Sequence, residues 1–133
     1  MTDTTPEPAD VSPSGHGRVD KPWGYELRWA VTDRYLGKVI HIESGHALSL
    51  QYHVQKDESI HVLSGVVDLL LEDAGGELRS HRLTAGMSAR IRSGRRHRMV
   101  AVEDTDILEA SSPEIDDVVR LEDRYGRQGT SAP

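Results

Sequence analysis

The chain contains no cysteine and no phenylalanine, and only 5% of its residues are aromatic. Without cysteine there is no disulfide framework, so burial alone must hold the fold, as suits a reducing compartment. Thiolate metal ligands are excluded for the same reason, which argues against a structural zinc knot. Without phenylalanine, aliphatic side chains must fill the interior. No apolar run approaches the roughly 20 residues that a membrane helix needs, and no signal-like hydrophobic stretch opens the chain, so the cytoplasm is the default location. A broad basic face is also missing: the net charge is -6 and the pI about 5.6, which argues against nucleic acid or a membrane surface as partner. Finally, no window sustains a long amphipathic helical period.

What remains is a chain of 133 residues, enough for one domain with one core. Residues 1–17 are rich in Thr, Pro, Ser, Asp and Glu, with Val11 their only sizeable apolar side chain after Met1, and read as a disordered leader. Residues 128–133 read as a flexible tail. Between them, short β-rich runs alternate with turn residues about every ten positions. These predict strands over Tyr25 to Val31, Lys38 to Ile42, Leu48 to His53, Ile60 to Leu63, Val66 to Glu72, Leu78 to Leu83, Ser88 to Ile91, Arg98 to Val102, Ile107 to Ser111 and Val118 to Leu121. Asp73-Ala74-Gly75-Gly76 supplies the turn for a hairpin between the fifth and sixth of these. The expectation is an all-β sandwich or small barrel of about ten strands.

Two motifs carry chemistry. The first is Gly45, then Gln51-Tyr52-His53, Glu58 and Gly65; the second is Gly86, Gly94 and His97. On a strand Gln51 and His53 share a face, about 7 Å apart, while Tyr52 points away. Glu58 from the next strand and His97 from a distant one are able to close the set. Imidazole, carboxylate and amide oxygen suit a borderline or hard divalent ion: zinc first, with manganese, iron, nickel or cobalt as alternatives. Each glycine on its own is explained equally well by turn chemistry.

The spacing resembles the paired motifs of the cupin superfamily, written G-x5-H-x-H-x3-4-E-x6-G and G-x5-P-x-G-x2-H-x3-N. Gln51 replaces the first histidine, Arg92 the proline and Ala101 the asparagine. Leu48-Ser49-Leu50-Gln51-Tyr52-His53, with Lys56 and Glu58, is similar to one branch, the cupin domain of type II phosphomannose isomerases. Lys21-Pro22-Trp23-Gly24-Tyr25-Glu26 and Glu122-Asp123-Arg124-Tyr125-Gly126-Arg127 extend the likeness to roughly residues 20 to 127, so that 18–127 is the expected cupin domain. The resemblance implies a double-stranded β-helix, or jelly roll, with Gln51, His53, Glu58 and His97 as metal ligands inside it. It also implies a homodimer. Many members of that branch carry a nucleotidyltransferase domain, for which this chain is too short; only the isomerase-like half is expected here.

The implied function is a metal-dependent interconversion of mannose 6-phosphate and fructose 6-phosphate through a metal-stabilised cis-enediol. Such chemistry needs a base near the carbon-bound proton. Glu109 and Lys38 are the candidates; His61, of opposite parity to Glu58, reads as an outer-face residue. A phosphosugar also needs cations. Arg90, Arg92, Arg95, Arg96 and Arg98 crowd around His97, although alternation turns Arg98 away. Of the cations, Lys21, Arg92 and Arg127 are the candidate substrate contacts. Trp23 and Tyr25 read as core or interface anchors. The alternatives are another cupin reaction at the same ion (oxygenase, lyase or epimerase), or a metal- or sugar-binding module without turnover.

Overall fold

The computed structural model describes residues 10–13 and 15–130. Residues 1–9 and 14 of the expected leader and 131–133 of the expected tail lie outside that range. Among the described residues there is no helix, and eleven strands occur: β1 (Arg18–Lys21), β2 (Gly24–Val31), β3 (Leu36–Ile42), β4 (Leu50–Tyr52), β5 (Glu58–Ser64), β6 (Val66–Glu72), β7 (Leu78–Thr84), β8 (Ser88–Ile91), β9 (His97–Ala101), β10 (Thr105–Ser111) and β11 (Val119–Glu122). Val66 to Glu72 and Ser88 to Ile91 end where the sequence predicts, and most other ends move by one or two residues. Strand β1 is unanticipated. Its Arg-Val-Asp-Lys has no strand-like pattern; it forms because it folds back on β2, with Lys21 opposite Gly24 and Arg18 opposite Leu27. The pairing continues upstream, since the His16 amide donates to the Arg28 carbonyl (2.7 Å) and the Arg28 amide to Gly17 (2.9 Å).

All pairings are antiparallel, in two sheets with orders β1-β2-β3-β10-β5-β8 and β11-β4-β9-β6-β7. Their inner faces enclose the core: Ile40, Ile42, Ile60, Val62, Val67, Leu69, Ile91, Met99 and Ile107, with Trp23 at one edge. Trp23 is thus a core anchor, whereas Tyr25 lies partly exposed and stacks on His41. This is the two-sheet jelly roll that the resemblance implies, within the sandwich-or-barrel class that the strand spacing predicts.

The 73–77 connection between β6 and β7 shows why its residues were legible. Asp73 Oδ1 accepts from the amides of Gly75 (2.9 Å) and Glu77 (3.0 Å), and Gly76 adopts φ 87°, a conformation that a Cβ disfavours. Gly65, the last glycine of the first motif, is needed for a second reason. A Cβ there would lie 2.2 Å from the Asp104 carbonyl, so the turn between β5 and β6 packs backbone against backbone.

Candidate metal centre

Antiparallel ladders bring the motif residues together from both sheets. Gln51 on β4 is the register partner of His97 on β9, both in the five-stranded sheet. Glu58 starts β5 in the six-stranded sheet, and His53 follows the end of β4. His53, Glu58 and His97 are all buried, and their potential ligand atoms lie within 4.8 Å of one another. Glu58 Oε1 faces both imidazoles, 3.3 Å from His97 Nε2 and 3.6 Å from His53 Nε2. Gln51 Nε2 lies 3.4 Å from His97 Nε2, and Gln51 Oε1 accepts from the Ser49 hydroxyl at 2.7 Å.

The hydrogen bonds behind the imidazoles decide what their front atoms offer. His97 Nδ1 donates to the Arg95 carbonyl (2.9 Å), and His53 Nδ1 donates to the Asp117 carbonyl. With the protons on Nδ1, both Nε2 lone pairs point at the Glu58 carboxylate, and His53 Nε2 is buried without a hydrogen-bond partner. Lone pairs that face a carboxylate leave room for a cation among them. The donor set of two imidazole nitrogens and one carboxylate oxygen fits a divalent ion. Gln51 completes the set through its oxygen only after a half-turn of its amide. The Ser49 hydroxyl, donor or acceptor, is compatible with either orientation.

A cavity of about 110 Å³ opens beside this cluster, room for an ion and several waters or ligand oxygens. All three lysines of the chain line it, Lys21, Lys38 and Lys56. Lys56 is buried and bridges two carboxylates, 3.1 Å from Glu58 Oε2 and 3.0 Å from Glu109 Oε2. Lys38 and Glu109 are direct partners on β3 and β10, and Lys38 Nζ lies 3.4 Å from Glu26 Oε1.

These charges set one another's ionisation. Burial would lower the pKa of Lys56, but Glu109 and Glu58 outweigh it and raise it, so the ammonium stays charged. Burial would raise Glu58; Lys56 is the chief charge that overrides it and holds the carboxyl well below its usual range. Glu109 goes the other way: burial and the neighbouring Glu58 charge push it up against Lys56 and Lys38. Two carboxyls a lysine apart are thereby separated in proton affinity, the pattern of an acid–base group beside a permanent anion.

Of the sequence candidates, Gln51, His53, Glu58, Lys38, Glu109, Lys21 and Arg127 all line this cavity, with His97 completing the cluster. Arg92 does not. It is exposed in the turn after β8 and outside the cavity wall, because the turn points the residue that replaces the motif proline into solvent. Its neighbours are occupied elsewhere: Arg90 on Asp57, Arg95 on the Glu72 carbonyl, Arg96 on the Glu72 carboxylate and Arg98 on the Leu48 carbonyl. His61 binds Ser88 Oγ on the outer face, as parity predicts.

Four contributors carried no assigned role in the sequence. Lys56 had a signal, since it lies two residues before Glu58 within the first motif. Glu26 on β2 and Arg120 on β11 reach the cavity only through strand register. Asp117 is the fourth. Its carboxylate accepts from the amides of Val54 (3.0 Å), Gln55 (2.7 Å) and Lys56 (2.9 Å), so one residue clamps the loop that carries both His53 and Lys56. Burial would raise the Asp117 pKa, and those three amides reverse the direction.

A two-sheet cupin with an internal histidine–glutamate cluster is therefore the class that fold and site define. The chain belongs to the family described as Mannose-6-phosphate isomerase C-terminal, whose pattern matches residues 10–123. Among curated relatives, the alginate biosynthesis protein AlgA of Pseudomonas putida is 28% identical over 130 residues, covering 98% of this chain and 27% of AlgA. The xanthan biosynthesis protein XanB of Xanthomonas campestris pv. campestris is 32% identical over 117 residues, or 84% of this chain and 24% of XanB. A mannose-1-phosphate guanylyltransferase of Escherichia coli is 31% identical, with 84% and 23% covered. The chain thus spans about a quarter of the length of these relatives. Among solved structures, KdgF from Halomonas sp. superposes with a TM-score of 0.64 at 25% identity, covering 76% of this chain and 89% of KdgF. Oxalate decarboxylase from Bacillus subtilis gives 0.68 at 18% identity, with 80% and 30% covered, a likeness of fold alone. No helix among the described residues is long and apolar enough to cross a membrane.

Proposed function

We propose that this chain is a metal-dependent sugar-phosphate isomerase, converting mannose 6-phosphate to fructose 6-phosphate. The carrying observation is that Glu109, a buried carboxyl with raised proton affinity, shares one cavity with His53 and Glu58 of the cluster and is joined to it through Lys56. The family match and the names of the curated relatives support the same reading.

A divalent ion held by His53, Glu58, His97 and Gln51, zinc being the best fit, would supply Lewis acidity to the sugar oxygens that gain negative charge. The chain's own residues do the rest. The Glu109 carboxylate takes the proton from one sugar carbon and returns it to the neighbouring carbon, by way of a cis-enediol, while the hydroxyl proton passes from one sugar oxygen to the other. Its raised proton affinity suits both halves of that transfer. Lys56 keeps the adjacent Glu58 ionised while Glu109 cycles, and Lys38, facing Glu109 across the ladder, limits the rise in its proton affinity. Lys21 offers positive charge at the cavity wall for the phosphate, whereas Arg127 lines the same wall with its guanidinium paired to Asp123.

A reading without turnover has one observation in its favour: Lys56 already gives Glu58 a counter-charge, so the pocket is able to hold a sugar ligand as a binding module. One experiment separates the two. Elemental analysis of the purified protein followed by a coupled assay on mannose 6-phosphate is expected to find one divalent ion per chain and fructose 6-phosphate formation. Metal-replete protein that binds the sugar phosphate without converting it would establish the binding module instead.

We also infer a homodimer. The outer face of the six-stranded sheet leaves Leu27, Trp29 and Leu63 exposed, Trp29 by 50%, an apolar surface suited to a second copy. Sedimentation of the full chain is expected to give twice the 14.8 kDa chain mass.

A further inference from the structure

Most cations in the cavity wall have a carboxylate of their own. Arg28 and Lys38 share Glu26 (3.0 and 3.4 Å), Lys56 holds Glu58 and Glu109, and Arg127 binds both oxygens of Asp123 at 3.0 Å. Two cations are different. Arg120 is 7% exposed; its Nη1 donates to the Thr130 carbonyl (3.1 Å), but its Nε is buried with no hydrogen-bond partner. Lys21 has no carboxylate within ion-pair distance among the described residues; Glu26 acts on it only at longer range. Both line the cavity of a chain whose net charge is -6.

A buried arginine nitrogen without an acceptor is costly, and two uncompensated cations facing one cavity raise that cost. Their mutual influence is visible in their ionisation. Burial lowers the pKa of Lys21, opposed by Glu26 and reinforced by Lys38, Arg120 and Arg127, and burial together with Arg127 lowers that of Arg120. An anion in the cavity removes both penalties.

We propose that Arg120 and Lys21 form a phosphate-monoester subsite beside the metal-type cluster, Arg120 holding the phosphate through its free Nε edge and Lys21 as a point charge. Arg120 is the register partner of Gln51, with Cβ atoms about 4.5–5.5 Å apart, so the subsite adjoins the ligand set directly. A phosphate dianion neutralises both cations, whereas a carboxylate neutralises one, and an arginine edge beside an ammonium suits the former. Arg127, saturated by Asp123, then acts by anchoring the segment after β11 rather than by touching the ligand. The subsite rests on the sugar-phosphate reading for its natural occupant, but its test does not require turnover.

Inorganic phosphate is titrated calorimetrically into the full chain, with acetate at equal ionic strength as the carboxylate probe. The wild type is expected to bind phosphate in preference to acetate. Arg120→Met and Lys21→Met are each expected to weaken phosphate about 10- to 100-fold, the loss of one charged hydrogen bond. Arg120→Lys recovers part of the affinity, and Arg34→Met, an exposed cation in the β2–β3 loop, changes nothing. Should Arg120→Met fail to fold because the Thr130 contact is lost, Lys21→Met carries the test. Equal binding of acetate, no binding of phosphate, or unchanged affinity in Lys21→Met overturns the subsite. Phosphate binding that depends on these residues in a chain that isomerises nothing upholds the subsite and removes the isomerase. Isomerisation with KM unchanged in both variants does the reverse.

Discussion

The interior of this barrel has two halves with opposite chemistry, and the same strands supply both. Inward positions step by two along β3 from Lys38 to Ile40 and Ile42, along β5 from Glu58 to Ile60 and Val62, along β9 from His97 to Met99 and Ala101, and along β10 from Glu109 to Ile107 and Thr105. In each case one step of the pleat separates a buried ionisable group from the core. The apolar half needs no partners and is held by burial area. The charged half is tolerable only because its groups answer one another, Lys56 between Glu58 and Glu109, Glu26 among Arg28 and Lys38. One half provides stability; the other is arranged for a ligand.

Substitutions should therefore split into those that remove function from a stable barrel and those that loosen the barrel around an intact site. The largest expected effect is at the cluster: His97→Ala or His53→Ala should abolish divalent-ion binding by elemental analysis, and isomerase activity with it, while the chain remains folded. Next, Glu109→Gln should keep the ion and lower kcat by about 10²- to 10⁴-fold, the range of a lost general base, as measured in the coupled assay. On the apolar side, Ile107→Ala should cost about 2–5 kcal/mol in urea unfolding and leave ion stoichiometry unchanged. A barrel variant that lost the ion first would break the division between the halves.

The smallest effect concerns acid. Burial would raise the Glu26 pKa, but Lys38, Lys21 and Arg28 together lower it beneath its ordinary 4.5. A group depressed in the folded state stabilises fully above its unfolded pKa, and that contribution fades as pH falls through the folded value. Glu26→Gln should consequently be less stable than wild type at pH 7, with the gap narrowing below about pH 4.5, read from urea midpoints across pH. A gap independent of pH would mean that the Glu26 charge does not stabilise the charged half.

Alternation explains how much of this was legible. Nine of the inward positions just named fall in strands that hydrophobic period and turn residues mark directly, and His53, Glu58 and His97 stand out by spacing. Strand β1 was not legible, because its pairing with β2 and not its own polar residues makes it a strand. The arginine crowd around His97 misled for a related reason: local density says nothing about direction, and the turn after β8 sends Arg92 outward while Glu72 and Asp57 take its neighbours.

From residue types and spacing alone followed an all-β barrel, its main hairpin and a donor set of histidines and glutamate, since these depend on period, turn chemistry and ligand chemistry within short stretches. Only the tertiary structure decided which cations face that set. Arg120 meets Gln51 through the register of β11 on β4, and Asp117 clamps the His53 loop from more than sixty residues away. Register and long-range closure are properties of paired strands, and no window of a single strand contains them.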